Sequence, residues 1–188
     1  MFHNGQELTA EDVQYTYQRI LDPEFGSGLR AKVASIDNIE VIDDYTIEFT
    51  LSEPYAPFIL GMTFGIVPKA YVEEVGDEEL ARNPIGAGPF KLEEWDSGNQ
   101  IVLSAFEDHW NKVPNLKTVI IRPITESATQ AMELRSGGID FGVNLDVGQL
   151  DSFMNNDDFK VKTAAGAGIN FIGFNFDKIG RRSTKTVF

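Results

Sequence analysis

The chain has 188 residues, 42% of them hydrophobic and 11% aromatic, enough for one packed core or two small cores sharing an interface, and a composition unlike that of a disordered chain. Sixteen Lys and Arg stand against 29 Asp and Glu, a net charge of −13 with no basic stripe, so a phosphate backbone would be repelled and no nucleic-acid partner is expected. With no cysteine, disulfides, thiolate metal sites and a cysteine nucleophile are excluded.

The first element is written out in "LTAEDVQYTYQRILDP", residues 8–23. Thr9 caps a helix, with Asp12 completing a T-x-x-D capping box. Val13, Tyr17, Ile20 and Leu21 then form one apolar face, and Asp22-Pro23 stops the helix. From Asn38 the period changes to two. Ile39 and Val41, a turn at Asp43-Asp44, and then Ile47, Phe49 and Leu51 predict a hairpin with one buried face. "YAPFILGMTFGIVPKAYVEEVG" is punctuated by Pro57, Gly61, Gly65 and Pro68, which predicts short packed helical pieces with Pro68 opening the last. A second hairpin follows, "GPFKLEEW" and "QIVLSAF" around Asp96 to Asn99, and "LKTVIIRPI" reads as a strand broken at Pro123. Residues 126–135 predict a helix ended by Ser136-Gly137-Gly138, returning through a strand at Ile139 to Val143. A short helix over Val147 to Met154 and two more strands, "FKVKT" and "GINFIGFNF", complete the pattern; "DKIGRRSTKTVF" carries no core-forming period. No stretch reaches the roughly 18 consecutive apolar residues of a spanning helix, and residues 1–20 lack the apolar core of a signal peptide.

Chemistry is hard to find in these elements. His3 and His109 lack the paired spacing of metal ligands, and no serine sits in a G-x-S-x-G context. The carboxylate pairs Glu73-Glu74, Glu78-Glu79 and Glu93-Glu94 are adjacent in sequence, so they do not face each other as an acid and base would. "NPIGAGPF", residues 83–90, lacks both phosphate-loop signatures, and Pro89 removes an N–H; a rigid turn feeding the strand at Phe90 is expected instead. The aromatics Tyr15, Tyr17, Phe49, Trp95, Phe106 and Trp110 fit core or half-buried sheet positions. With no catalytic residue, metal set or cofactor site in view, the residues describe a mixed α/β binding module, and an enzyme is the weakest class.

The order of the motifs is more specific than any one of them. "FHNGQELTAEDVQYTYQRILDP", "IDNIEVIDDYTIEFTLSEPYAPFI", "IVPKAYVEE", "NPIGAGPFKLEEWDSGNQIVLSAFEDHWNKVPNLKTVIIRPI" and "ELRSGGIDFGVN" follow one another in a way that resembles the family 5 extracellular solute-binding proteins, which serve oligopeptide, dipeptide and nickel ABC importers. The resemblance implies a fragment of a two-lobed, periplasmic-binding-protein-like fold with mixed sheets and hairpins. Residues 1–123 would be the small subdomain of the first lobe, 124–176 part of its main domain, and 177–188 a disordered or altered tail. It implies a clamp that buries a peptide or other small solute and hands it to the membrane subunits of an ABC permease. The location implied is extracytoplasmic, in the periplasm or as a lipoprotein on the outer face of the membrane, with the export signal absent from this chain.

Three positions match cleft-facing places of peptide-binding members: Asn144 after the "SGGID" strand, Phe171 in "GINFIGFNF", and Leu29 after "LDPEFGSG". Each has a structural alternative, since Asn144 could end a strand, Phe171 could be core and Leu29 could pack under a loop. A nickel-chelate or other small-solute receptor of the same family stays open, as does a sensor or regulator that reuses the domain. Removal of flanking segments is expected to expose strand edges and favour self-association.

Overall fold

The computed structural model describes residues 1–163. The chain divides into two compact units, Met1–Pro123 and a second beginning at Ile124.

The first unit begins with helix α1 (Ala10–Leu21), as its sequence predicts. The Asp12 carboxylate accepts hydrogen bonds from the Thr9 N–H at 2.9 Å and the Thr9 hydroxyl at 3.2 Å, so the capping residue is held by the helix it starts. Its other oxygen accepts the Lys69 N–H at 2.9 Å. Lys69 opens helix α4 (Lys69–Arg82), whose N-cap is the fully buried Pro68. One buried carboxylate therefore satisfies amides at the starts of two helices, which have no intrahelical acceptor. Thr16 extends the joint: its hydroxyl donates to the Asp12 carbonyl at 2.8 Å and accepts the Val67 N–H at 3.1 Å.

A four-residue helix α2 (Arg30–Val33) leads to the hairpin β1 (Ile36–Asp43) and β2 (Thr46–Leu51). The strands pair antiparallel, with Ile39 opposite Phe49 and Val41 opposite Ile47. The turn is Asp44-Tyr45, one residue later than expected, because the Asp43 side chain accepts the Tyr45 N–H at 2.9 Å and Asp43 itself stays in the ladder. Tyr17, Ile20, Val33 and Ile39 form the core, with Val13, Leu21, Ile47, Phe49 and Phe64 packed around it. The Tyr17 ring meets Phe49 edge-on at 5.1 Å, and its hydroxyl donates to the Met62 carbonyl at 3.2 Å. Burial raises that hydroxyl's pKa above its ordinary 10.0.

Helix α3 (Phe58–Gly61) is one turn long, and it does not pack as fully as the sequence suggests: Ile59 and Leu60 are 78% and 79% exposed. Helix α4 runs on to Arg82 through Gly76. That residue takes φ 81° and kinks the helix, a conformation suited to glycine, and an Arg19–Asp77 ion pair ties the far half back to α1.

The second sheet has the order β3 (Phe90–Asp96), β4 (Gln100–Ala105), β5 (Thr118–Ile121), antiparallel throughout. Its tight turn uses Gly98 at φ 84°, with the Asn99 N–H bonded to the Asp96 carbonyl at 3.0 Å. The N-terminal segment is stitched to the 83–90 turn by His3, which bonds the Gly88 carbonyl at 2.9 Å and stacks edge-on against buried Phe106 at 5.1 Å. Trp95 and Trp110 depart from expectation, at 51% and 75% exposed.

In the second unit, helix α5 (Ser127–Ser136) ends on Gly137 at φ 75°, and helix α6 spans Val147–Met154. Among the described residues of this unit Ala131 and Phe153 are the buried apolar ones, and Phe159 meets Phe153 edge-on at 4.9 Å. Neither Ile139 to Val143 nor "FKVKT" forms a strand. Alternation persists in the burial of residues 159–162, yet no described segment supplies the ladder partner that a strand requires. "GINFIGFNF" lies outside the described residues.

Candidate functional site

Asn144 sits in the link between α5 and α6, and this link is fixed at three points. At its start, Gly138 N–H bonds the Glu133 carbonyl at 2.8 Å, closing α5 with a left-handed cap. In the middle, Gly142 lies so close to α5 that an added Cβ would stand 2.8 Å from Leu134 Cδ1 and 3.3 Å from Gln130 Oε1. At its end, the Asp146 N–H donates to Ser127 Oγ at 3.0 Å, and Asp146 caps α6.

Between the last two anchors Asn144 takes φ 57°, the one positive φ of a non-glycine residue among the described residues. The left-handed region costs an L residue roughly 1–2 kcal/mol, and asparagine is among the few that visit it routinely. The cost is tolerated where surrounding contacts dictate the backbone, as these anchors do. The Asn144 side chain is exposed, flanked by Phe141 and Val143 at 80% and 58% exposure. An amide on a fixed backbone between apolar side chains is the kind of surface that lines a solute pocket, where a few placed polar groups orient an otherwise apolar contact. Among the described residues no strand precedes Asn144 in this unit.

Leu29 belongs to the first unit. It precedes α2, its N–H is held by Ser27 Oγ at 3.2 Å, and its side chain is 39% exposed, so it is not packed away under a loop. Phe171 lies outside the described residues. The expected trio is thus divided: Leu29 in one unit, Asn144 in the other.

The first unit has a groove of about 450 Å³ lined by Arg82, Asn83, Leu92, Glu93, Glu94, Trp95 and Ser97. Sequence reasoning missed it for two local reasons. The continuation of α4 beyond Gly76 brings Arg82 and Asn83 to the second hairpin, and a bulge between Leu92 and Glu94 breaks the alternation that adjacent glutamates would otherwise show. Glu93 is held below the usual carboxylate range by the Ser104 hydroxyl and by Lys91. The other marked shifts lie at the first hairpin's tip. There, hydrogen bonds from the Tyr45 N–H and Thr46 lower Asp43, and a hydrogen bond to Glu7 raises Tyr45. Among the described residues no cluster of three His, Asp or Glu could hold a metal ion, and no helix is long and apolar enough to cross a membrane.

The model of the bacterial extracellular solute-binding proteins, family 5, middle region, matches residues 1–188, and the chain belongs to that family. A curated relative, the probable D,D-dipeptide-binding periplasmic protein DdpA of Escherichia coli, is 31% identical over 94% of this chain and 35% of its own length. The crystal structure of NikZ from Campylobacter jejuni in complex with Ni(L-His) superposes with a TM-score of 0.78 at 26% identity, over 84% of this chain and 32% of that one. The periplasmic binding protein DppA from Helicobacter pylori, in complex with the peptide STSA, gives 0.74 at 29%, over 81% and 33%. The chain therefore spans about a third of the length of the relatives it matches. The fold is the mixed α/β, periplasmic-binding-protein-like arrangement that the motif order implies.

Proposed function

We propose that this chain is part of the substrate-binding component of an ABC importer, which captures peptides between two lobes and delivers them to the permease outside the cytoplasm. The observation that carries this reading is the family match over the whole chain, together with relatives named for binding dipeptides or seen holding a peptide. The relatives are binding proteins, and the reading assigns this chain no enzymatic step and no cofactor. Residues 1–123 and 124–176 serve as the small subdomain and part of the main domain of the first lobe. Asn144, with Phe171 and Leu29, faces the solute. A clamp of this kind works because a solute between hinged lobes makes contacts that exist only when the lobes close, so binding shifts the population towards the closed form.

A nickel-chelate solute is the second reading, favoured by the superposition on NikZ with Ni(L-His). The peptide reading is preferred because more of the relatives are named for binding peptides or seen holding one. The test is calorimetry with the protein made from the complete reading frame, against a panel of short peptides and against nickel with L-histidine. Saturable binding of a peptide supports the importer reading. Binding of the nickel complex alone transfers the assignment to the second reading, and binding of neither overturns both.

A further inference from the structure

The groove between the end of α4 and the second hairpin is bordered by exposed side chains that differ in what they bond. Glu93 is occupied by Ser104 and Lys91, and the Asn83 amide by Glu79 at 2.6 Å. By contrast, among the described residues the Arg82 guanidinium, the Glu94 carboxylate, the Trp95 indole N–H and the Ser97 hydroxyl make no hydrogen bond or ion pair, although all four residues line one groove. Arg82 and Glu94 are also not paired with each other. A groove along the edge strand β3 whose lining residues include one unpaired cation, one unpaired anion and a half-exposed indole is complementary to a zwitterion carrying an apolar side chain. The guanidinium would fork onto a carboxylate, the carboxylate would accept from an ammonium, and the ring would cover the apolar part. About 450 Å³ is within the usual size of small-molecule sites and holds a residue or two.

We infer that this groove is an auxiliary binding site for a free amino acid or the two ends of a very short peptide, lying wholly within the first unit and separate from the solute-facing position at Asn144. Because every lining residue falls between 82 and 97, the site needs nothing from the second unit. It would give the chain weak, local affinity for the same chemical class of solute that the proposed clamp takes. The site does not depend on that clamp reading being right.

Trp95 is its own reporter. In a W110F background, which leaves Trp95 as the single tryptophan, the dipeptide Ala-Phe is titrated while indole fluorescence is followed. The expected result is a saturable change with a dissociation constant of about 0.1–1 mM, weakened roughly tenfold by R82Q, by E94Q, and by acetylating or amidating the peptide. Circular dichroism checks that each variant keeps its fold. No saturable change up to about 10 mM, or a change that both R82Q and E94Q leave intact, overturns the site. Loss of the change in N144G would place the peptide elsewhere and overturn it too. Success here with failure of the complete-reading-frame calorimetry would leave the groove standing and remove the clamp.

Discussion

The two units are built by different means. In the first, two sheets pair internally, one carboxylate joins two helices, and Tyr17 is enclosed by Phe49, Phe64 and Met62. The second, over its described residues, has two helices, no sheet and little buried apolar surface, while Met132, Phe141, Val143, Val147 and Met154 are all more than half exposed. In the second, the strand predicted at Ile139 to Val143 has no ladder partner among the described residues, and a strand exists only as part of a ladder.

The strongest way to break this contrast is to remove the centre of the first core. Tyr17→Ala should cost about 3–5 kcal/mol, the usual range for deleting a buried aromatic, measured by urea denaturation. Phe153→Ala, in the second unit, should cost about 3 kcal/mol, the low end of that range, with Phe159 and Arg135 as the described partners of its ring. An equal or larger loss at Phe153 would contradict the contrast.

The joint at Asp12 comes next. Asp12→Ala strips amides at two helix starts of their acceptor and should cost about 2–3 kcal/mol, more than a single cap is worth. A loss below about 1 kcal/mol would mean that the two caps do not act through this one side chain. Tyr17 adds a pH test. Its hydroxyl pKa is raised in the folded state, so the stability linked to the neutral phenol is complete below 10.0 and falls as pH rises from there towards the folded value. Thermal melts between pH 9 and 11 should show a decline that Tyr17→Phe reduces.

The smallest effect is the sharpest probe of the candidate site. Asn144→Ala should cost about 1 kcal/mol because alanine lacks asparagine's tolerance of φ 57°, whereas Asn144→Gly should be neutral or slightly stabilising. Asn144→Gly thus removes the amide and keeps the backbone, which separates loss of solute from loss of fold.

Much of the fold was legible because its signals are local. The Thr9/Asp12 box marked the start of α1, the Asp96 to Asn99 turn marked the second hairpin, and α6 spans the predicted Val147 to Met154. The failures required knowledge of neighbours. The Asp43 side chain moved a turn by one residue, Ile59 and Leu60 stayed exposed, and Ile139 to Val143 found no ladder partner among the described residues. The site was less legible than the fold. The motif order pointed to Asn144, but its left-handed backbone and three anchors came only from the structure, and the groove at Trp95 depends on a bulge that no period announces.

The measurement closest to the central claim is side-by-side calorimetry of one peptide panel against this 188-residue chain and against the protein made from the complete reading frame. The account predicts at least a hundredfold tighter binding to the complete protein, roughly 3 kcal/mol or more, and a clear loss there in Asn144→Gly. Submicromolar binding to the 188-residue chain by itself, with Asn144→Gly without effect, would contradict it.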